Sequence, residues 1–144
     1  MYEYNSVIRK IVDGDTVDVD IDLGFGVWLK DQRIRLHGID TPECRTRDAE
    51  EKIFGLAAKN FVISSLPVGS NQILKTVINK DGEDVRGKFG RILGDFTSSD
   101  TATLVETMIE KGFGVEYKGQ SKDLIEQAHL AARKRLISAG IVAI

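Results

Sequence analysis

Apolar and polar residues alternate along the first third of the chain, a pattern typical of strands buried on one face. The clearest alternation covers residues 17–23, where apolar and acidic side chains take turns: Val17, Asp18, Val19, Asp20, Ile21, Asp22 and Leu23. Glycines at 24 and 26 then predict a turn. Residues 27–37 predict the next strand, with a kink at 30–32 because the apolar parity changes there. Residues 5–12 predict a strand that precedes both.

Beyond residue 50 the hydrophobic period changes to that of amphipathic helices. Apolar residues recur at three- and four-residue spacing in three segments: 54–62, 104–109 and 125–136. The first of these helices is predicted to end near Pro67. Residues 73–79 and 92–96 predict two further strands. Five strands and three helices, with the strands gathered early and few βαβ units, predict an α+β domain built around a small barrel.

The composition is that of a globular protein, and we expect residues 1–144 to form a single domain. The chain is 42% hydrophobic, and no stretch reaches the roughly 20 apolar residues that span a bilayer. No signal peptide is visible at the start, so we expect a cytoplasmic protein unless a leader has been removed. Cys44 is the single cysteine, so no internal disulfide can form. The net charge of −2 argues against polyanion binding by the whole surface but permits a local cationic site.

Two short acidic segments contain the side chains best suited to a hard metal ion. Asp15 follows Gly14, which permits a tight turn between strands, and Asp40 follows the end of another strand. Thr41 is held extended by Pro42, so two strand ends can bring carboxylates together with a main-chain carbonyl. Oxygen ligands of this kind suit Ca²⁺ or Mg²⁺. The alternative is that both segments are ordinary turn sequences.

Glu43 and two arginines complete a set of groups suited to cleaving a phosphodiester. Glu43 lies three residues after Asp40, where it can act on a water as a general base. Arg35 and Arg91 are candidates for binding a phosphate and for neutralising charge in the transition state. Each residue has a simpler interpretation: a charge at a helix N-terminus for Glu43, an exposed strand position for Arg35 and a surface loop for Arg91.

Other polar residues carry weaker signals. The aspartates of residues 18–22 imitate the start of an EF-hand loop, but Leu23 stands where that loop requires glycine, so we reject it. His37 and His129 lie far apart in the sequence, and we interpret each as structural or solvated. Cys44 has no companion residues that indicate a catalytic triad.

Three motifs, in this order, resemble those of the staphylococcal nuclease (thermonuclease) family. They are Val-Asp-Gly-Asp-Thr-Val at 12–17, Arg-Leu-His-Gly-Ile-Asp-Thr-Pro-Glu at 35–43 and Gly-Lys-Phe-Gly-Arg at 87–91. The resemblance runs from about Ser6 to Tyr117, with a looser match in the last helix, and implies a five-stranded OB-fold barrel with three helices. It also implies Ca²⁺-dependent hydrolysis of DNA and RNA on the 5′-oxygen side, which leaves 3′-phosphate ends. The resemblance implies a DNA or RNA substrate. Separately, we expect a monomer, and no membrane partner because no apolar stretch is long enough to span a bilayer.

The resemblance implies a role for each candidate residue at the metal. Asp15 and Asp40 correspond to the carboxylates that bind one Ca²⁺ ion, and Thr41 corresponds to the carbonyl ligand. Glu43 corresponds to the base that activates the attacking water.

The phosphate-binding residues that the resemblance implies come from several parts of the chain. Arg35 and Arg91 correspond to the phosphate-binding pair, and Lys88 to a lysine near the terminal phosphate of the nucleotide. Tyr117 is the one residue available to match the tyrosines that stack on or bracket the nucleotide. Phe89 stands where the family often has tyrosine, so a hydroxyl contact to phosphate is lost. These departures bear on base preference and affinity rather than on the catalytic set.

Two other functions remain compatible with the sequence. A non-catalytic OB-type module would bind single strands or a protein partner, and a structural metal site would bind Ca²⁺ without turnover. The isoelectric point of about 5.7 is unusual for a protein that acts on polyanions. In favour of the enzyme, no acidic or arginine position of the family pattern is missing from this chain.

Overall fold

A barrel of five strands organises the chain. The computed structural model describes residues 2–77, 91–97 and 102–143. Within these residues the elements are, in chain order, β1 (Glu3–Asp13), β2 (Thr16–Asp22), β3 (Trp28–Leu36), β4 (Ile39–Asp40), α1 (Ala49–Ser65), β5 (Asn71–Thr76), β6 (Ile92–Thr97), α2 (Leu104–Lys111), β7 (Val115–Glu116) and α3 (Lys122–Ser138). The barrel closes in the order β1, β2, β3, β6 and β5, while β4 and β7 form a separate two-stranded sheet.

This architecture confirms the predicted α+β fold, an OB-type barrel of five strands with three helices. The barrel strands pair antiparallel except for β3 and β6, which are parallel. A parallel pair needs a long crossover connection, and α1 and β5 lie on it. The predicted elements differ from the observed ones mainly at their ends, and the short β4–β7 sheet was not predicted. None of the helices described is long and apolar enough to cross a membrane.

The alternating residues of β2 fill the barrel interior, as their period predicts. Val17, Val19 and Ile21 are buried, whereas Leu23 lies beyond the strand and is 45% exposed. The helices cover the barrel with buried apolar side chains that belong to the same core: Phe54, Ala58, Val62, Leu104, Met108 and Leu136. Each large side chain of this kind stabilises the fold by about 1.5–3 kcal/mol on burial.

Asp20 departs from the simple alternation, because it is buried with an exposed fraction of 3%. The register of β2 and β3 shifts between Val19 and Ile21, which leaves a bulge at the kink predicted for residues 30–32. Asp31 in this bulge has a left-handed backbone (φ 52°), and its N–H donates to Asp20 Oδ1 at 2.9 Å. Asp20 Oδ2 also lies 3.1 Å from Arg9 Nε. The buried carboxylate therefore fixes the bulge.

Substitution of Asp20 by alanine is expected to destabilise the protein by about 1–3 kcal/mol, since the Asp31 N–H loses its acceptor. The hydrogen bond from Asp31, followed by the charge of Arg9, lowers the pKa of Asp20. The carboxylate therefore contributes stability above its unfolded pKa of about 3.9, and this contribution is lost as the pH falls through the lower folded value. Urea unfolding measured from pH 7 to pH 2 should show that the free energies of unfolding of wild type and Asp20→Ala converge in acid. Asp31→Asn, which changes an exposed side chain, is the control and should shift stability by less than about 0.5 kcal/mol.

Candidate active site

The turn that carries Asp15 packs closely against its neighbours. The Asp15 carbonyl accepts the N–H of Leu36 at 2.8 Å, which ties the turn to the end of β3. A Cβ atom at Gly14 would lie 2.9 Å from Ala58 Cβ and 3.2 Å from Thr41 Oγ1. Glycine therefore lets the turn sit directly against α1 and Thr41, as the sequence predicted for a tight backbone. Gly14, the neighbour of Asp15, and Thr41 are brought together by this approach.

Arg35 holds the ends of β3 and β4 together beside Asp15. Its guanidinium donates to the carbonyls of Leu36 and, at 2.9 Å, Ile39. Nη2 also lies 3.4 Å from Asp15 Oδ2, and the side chain is only 17% exposed. The simpler alternative for Arg35, an exposed strand position, therefore does not apply. The two carbonyls use two of the five N–H groups of a guanidinium, so the side chain keeps donors for an anion.

The candidate metal ligands concentrate negative charge. Burial raises the pKa of Asp15; the charge of Arg35 and a hydrogen bond from Thr16 oppose this rise, and the charges of Asp13 and Asp40 add to it. The negative charge of Asp40 therefore reaches Asp15 and disfavours its ionised form. A cation placed between them would remove that penalty.

The candidate metal ligands are oxygen donors from two carboxylates and a main-chain carbonyl. Within the described ranges, no three His, Cys, Asp or Glu side chains surround one point. The carboxylates of Asp15 and Asp40, with the Thr41 carbonyl and water as further oxygen donors, stay the predicted ligands of a hard cation. This oxygen-only chemistry fits Ca²⁺ or Mg²⁺ rather than zinc.

Glu43 lies beside this acidic pair on a segment that α1 holds in place. Its N–H donates to Glu51 Oε2 at 3.1 Å, and the next residue, Cys44, is buried. Partial burial raises the pKa of Glu43, and the charges of Asp13, Asp15, Glu51 and Asp40 raise it further. The segment therefore presents a carboxyl group that lies close enough to Asp15 and Asp40 to be repelled by their negative charges.

Gly55 of α1 allows the main chain at Glu43 to touch the helix. A Cβ atom at position 55 would overlap the carbonyl of Glu43 and would lie 2.6 Å from Cys44 N. Both contacts are with backbone, which cannot yield as a flexible side chain can. The glycine therefore fixes how deeply the Glu43 segment sits against the helix.

Substitution of Gly55 by alanine is expected to destabilise the fold by about 1–3 kcal/mol through overpacking and to move Glu43. Helix propensity alone predicts the opposite sign, a gain of roughly 0.5–1 kcal/mol. Thermal or urea unfolding of the variant therefore decides between the two effects. A stabilised variant would contradict the close packing, and no separate control is needed because the signs differ.

The second candidate arginine lies on the other side of Glu43. Arg91, just before β6, lines a cleft of about 390 Å³ together with Glu43. Asp13, Arg33 and Arg45 also line this cleft, which is called the arginine cleft below. Lys88 lies outside the described residues, so its predicted place near a terminal phosphate stays a prediction.

Tyr117 lies within reach of the same centre. It follows β7, where its N–H donates to the Gly38 carbonyl at 2.9 Å. It lines a larger cleft of about 690 Å³ with Asp40, Thr41 and Glu43, and a separate hollow that contains Arg35. The side chain is 46% exposed, which leaves its ring accessible to a ligand. Glu43 lines both this larger cleft and the arginine cleft, so it stands at their junction.

His129, which we interpreted as structural or solvated, contacts the candidate site. Its Nε2 lies 2.7 Å from Asp40 Oδ2, and its side chain is only 14% exposed. The contact joins α3 to a candidate metal ligand and orients that carboxylate. The two residues are 89 positions apart, and no spacing rule in the sequence connects them.

Comparison with known proteins agrees with this geometry. The family described as "Staphylococcal nuclease homologue" matches residues 33–138, most of the chain. The chain therefore belongs to the staphylococcal nuclease family, as the three motifs indicated. It is 28% identical over 135 residues to a thermonuclease of Staphylococcus intermedius, a match that covers 92% of this chain and 73% of that protein.

Proposed function

We propose that this chain is a Ca²⁺-dependent nuclease that hydrolyses DNA and RNA. The observation that carries the proposal is the convergence of groups from separate parts of the chain around Glu43. Asp15 and Asp40 are electrostatically coupled to it, and Arg91 lines the same cleft. Arg35 lies 3.4 Å from Asp15. Membership of the family and the similarity to a thermonuclease support a nucleic-acid substrate.

In this proposal Glu43 takes a proton from the attacking water. The water oxygen forms a bond to phosphorus while the bond from phosphorus to the 5′-oxygen breaks. The leaving oxygen acquires a proton from solvent, so the products carry a 3′-phosphate and a 5′-hydroxyl. Arg35 and Arg91 bind phosphate oxygens and stabilise the charge that grows on them.

The metal site contributes to the same step through Asp15, Asp40 and Thr41, which would hold the ion. When bound, Ca²⁺ supplies positive charge that polarises the phosphoryl group. Two contacts support this assignment: Gly14, the neighbour of Asp15, lies close to Thr41, and His129 contacts Asp40.

The alternative is a non-catalytic module that binds nucleic acid or a protein partner. The net charge of −2 favours only the protein-binding form of this module, because strong phosphate binding normally uses a basic surface. Such a module has no use for a base next to two candidate metal ligands, which is why we favour the enzyme.

The chemistry of the product ends tests the proposal. Labelled single-stranded DNA and RNA are incubated with the wild-type protein and Ca²⁺, and the ends of the fragments are determined. We expect fragments with 3′-phosphate and 5′-hydroxyl ends. Fragments with 5′-phosphate ends would contradict the proposed bond cleavage, and strands that are bound but stay intact would favour the binding module.

A further inference from the structure

The arginine cleft contains two guanidinium groups that the catalytic proposal does not use, those of Arg33 and Arg45. Arg45 lines this cleft with Glu43 and Arg91, although it lies on the loop before α1 rather than on the barrel. Its side chain is exposed. Arg47, two residues further along the same loop, is not among the residues that line the cleft.

The local packing explains why Arg45 stays beside Glu43. Cys44 between them is buried, with an exposed fraction of 4%, while both neighbours are exposed. The main chain at 43–44 cannot move towards α1, because Gly55 is already in close contact with it. The buried cysteine and the helix therefore anchor the segment, and the charged side chains on either side of the anchor reach the same cleft.

The charges in the cleft single out Arg45. Arg33 is held by Asp18 through two hydrogen bonds of 2.8 and 3.1 Å, so its charge is largely neutralised. Asp13 accepts the N–H of Gly14 at 2.7 Å. Across the ranges that the structure describes, Arg45 forms no ion pair. Its guanidinium is therefore not held by an ion pair within these ranges, and it offers the cleft paired N–H donors suited to a phosphate.

We infer that Arg45 binds a second phosphate of the nucleic-acid strand, next to the phosphate that is cleaved. This inference rests on the proposed function, since it places the cleaved phosphate at Arg35 and Arg91. The substrate is then a strand with at least two phosphates, and Arg45 sets its affinity rather than the rate of bond cleavage. A charge of this kind explains how a protein of net charge −2 can bind a polyanion locally.

The test compares Arg45→Ala with Arg47→Ala, a matched control that removes a neighbouring positive charge. Binding of a labelled 12-nucleotide single strand is measured by fluorescence anisotropy in chelator, where hydrolysis does not interfere. We expect Arg45→Ala to raise the Kd about tenfold, as for the loss of one charge-assisted contact. The slope of log Kd against log salt concentration should fall by the amount expected for the loss of about one phosphate contact. Arg47→Ala should change the Kd far less.

A dinucleoside with a single phosphate separates this role from direct contact with the cleaved group. Used as a competitor, it should bind wild type and Arg45→Ala equally, because its one phosphate occupies the site at Arg35 and Arg91. With Ca²⁺ present, the variant should show a higher KM for the 12-nucleotide strand, with its kcat retained. Circular dichroism checks that both variants are folded.

Several outcomes would overturn the inference. Equal weakening by the two substitutions would indicate a general charge effect, and weaker binding of the single-phosphate competitor would place Arg45 at the cleaved phosphate. A fall in kcat without a change in KM would make it part of the catalytic clamp. If wild type binds the strand but leaves it intact with Ca²⁺, the proposed function fails while the binding comparison still decides the role of Arg45.

Discussion

Substitution of Glu43 by glutamine is expected to leave the fold intact and to reduce kcat by about 10²–10⁴, the usual contribution of a general base. Glutamine keeps the size of the side chain but cannot accept the proton of the attacking water. Because the Glu43 carboxyl accepts no hydrogen bond from the described residues, and Gly55 and Cys44 hold its main chain, the segment should stay in place. Single-turnover cleavage of labelled DNA with Ca²⁺ measures the effect.

The matched control for this substitution is Glu110→Gln, which removes the same charge from an exposed position on α2. It should cleave DNA at the wild-type rate. Wild-type hydrolysis by the Glu43 variant, with normal circular dichroism and thermal unfolding, would rule out Glu43 as the base.

Substitution of Arg35 by lysine should reduce kcat by about 10²–10³, because a lysine keeps the charge but loses the planar set of donors that binds a phosphate. The fold should also lose roughly 1–3 kcal/mol, since the carbonyls of Leu36 and Ile39 lose their shared donor. Unlike the Glu43 variant, this one is therefore expected to lose both rate and stability. Activity has to be measured well below the melting temperature of the variant.

Arg135→Lys provides the control, because Arg135 also donates to two main-chain carbonyls, those of Glu110 and Ile109. It lies on α3 and is exposed. It should cleave DNA like wild type, with a smaller loss of stability. If Arg35→Lys lost stability but cleaved DNA at the wild-type rate, Arg35 would have a structural role alone.

The local pattern of the sequence predicted most of the barrel, because hydrophobic period reports directly on strands and helices. The alternation at Val17, Val19 and Ile21 predicted β2, and the change of parity at 30–32 predicted the bulge in β3. The burial of Asp20 could not be predicted in this way, since it depends on partners from two other strands. Element ends and the two-residue strands β4 and β7 carry too little pattern to be recognised.

The candidate site was predicted as a set of residues, whereas the contacts that hold it were not. Motif order indicated Asp15, Arg35 and Glu43, and the structure brings these residues together. The contact of His129 with Asp40 and the close approach of Gly55 to Glu43 arise from the packing of α3 and α1. Such contacts join distant parts of the chain, and neither composition nor spacing encodes them.

The central claim is that Glu43 and the arginines act on one phosphate in one site, and a double variant tests it most directly. Groups that act as a unit show strongly non-additive losses. Single-turnover cleavage of labelled DNA with Ca²⁺ is compared among wild type, Glu43→Gln, Arg35→Lys and the protein with both changes. We predict that the double variant cleaves only slightly more slowly than Glu43→Gln. A loss equal to the product of the two single losses would show that the residues act independently and would contradict a single catalytic site.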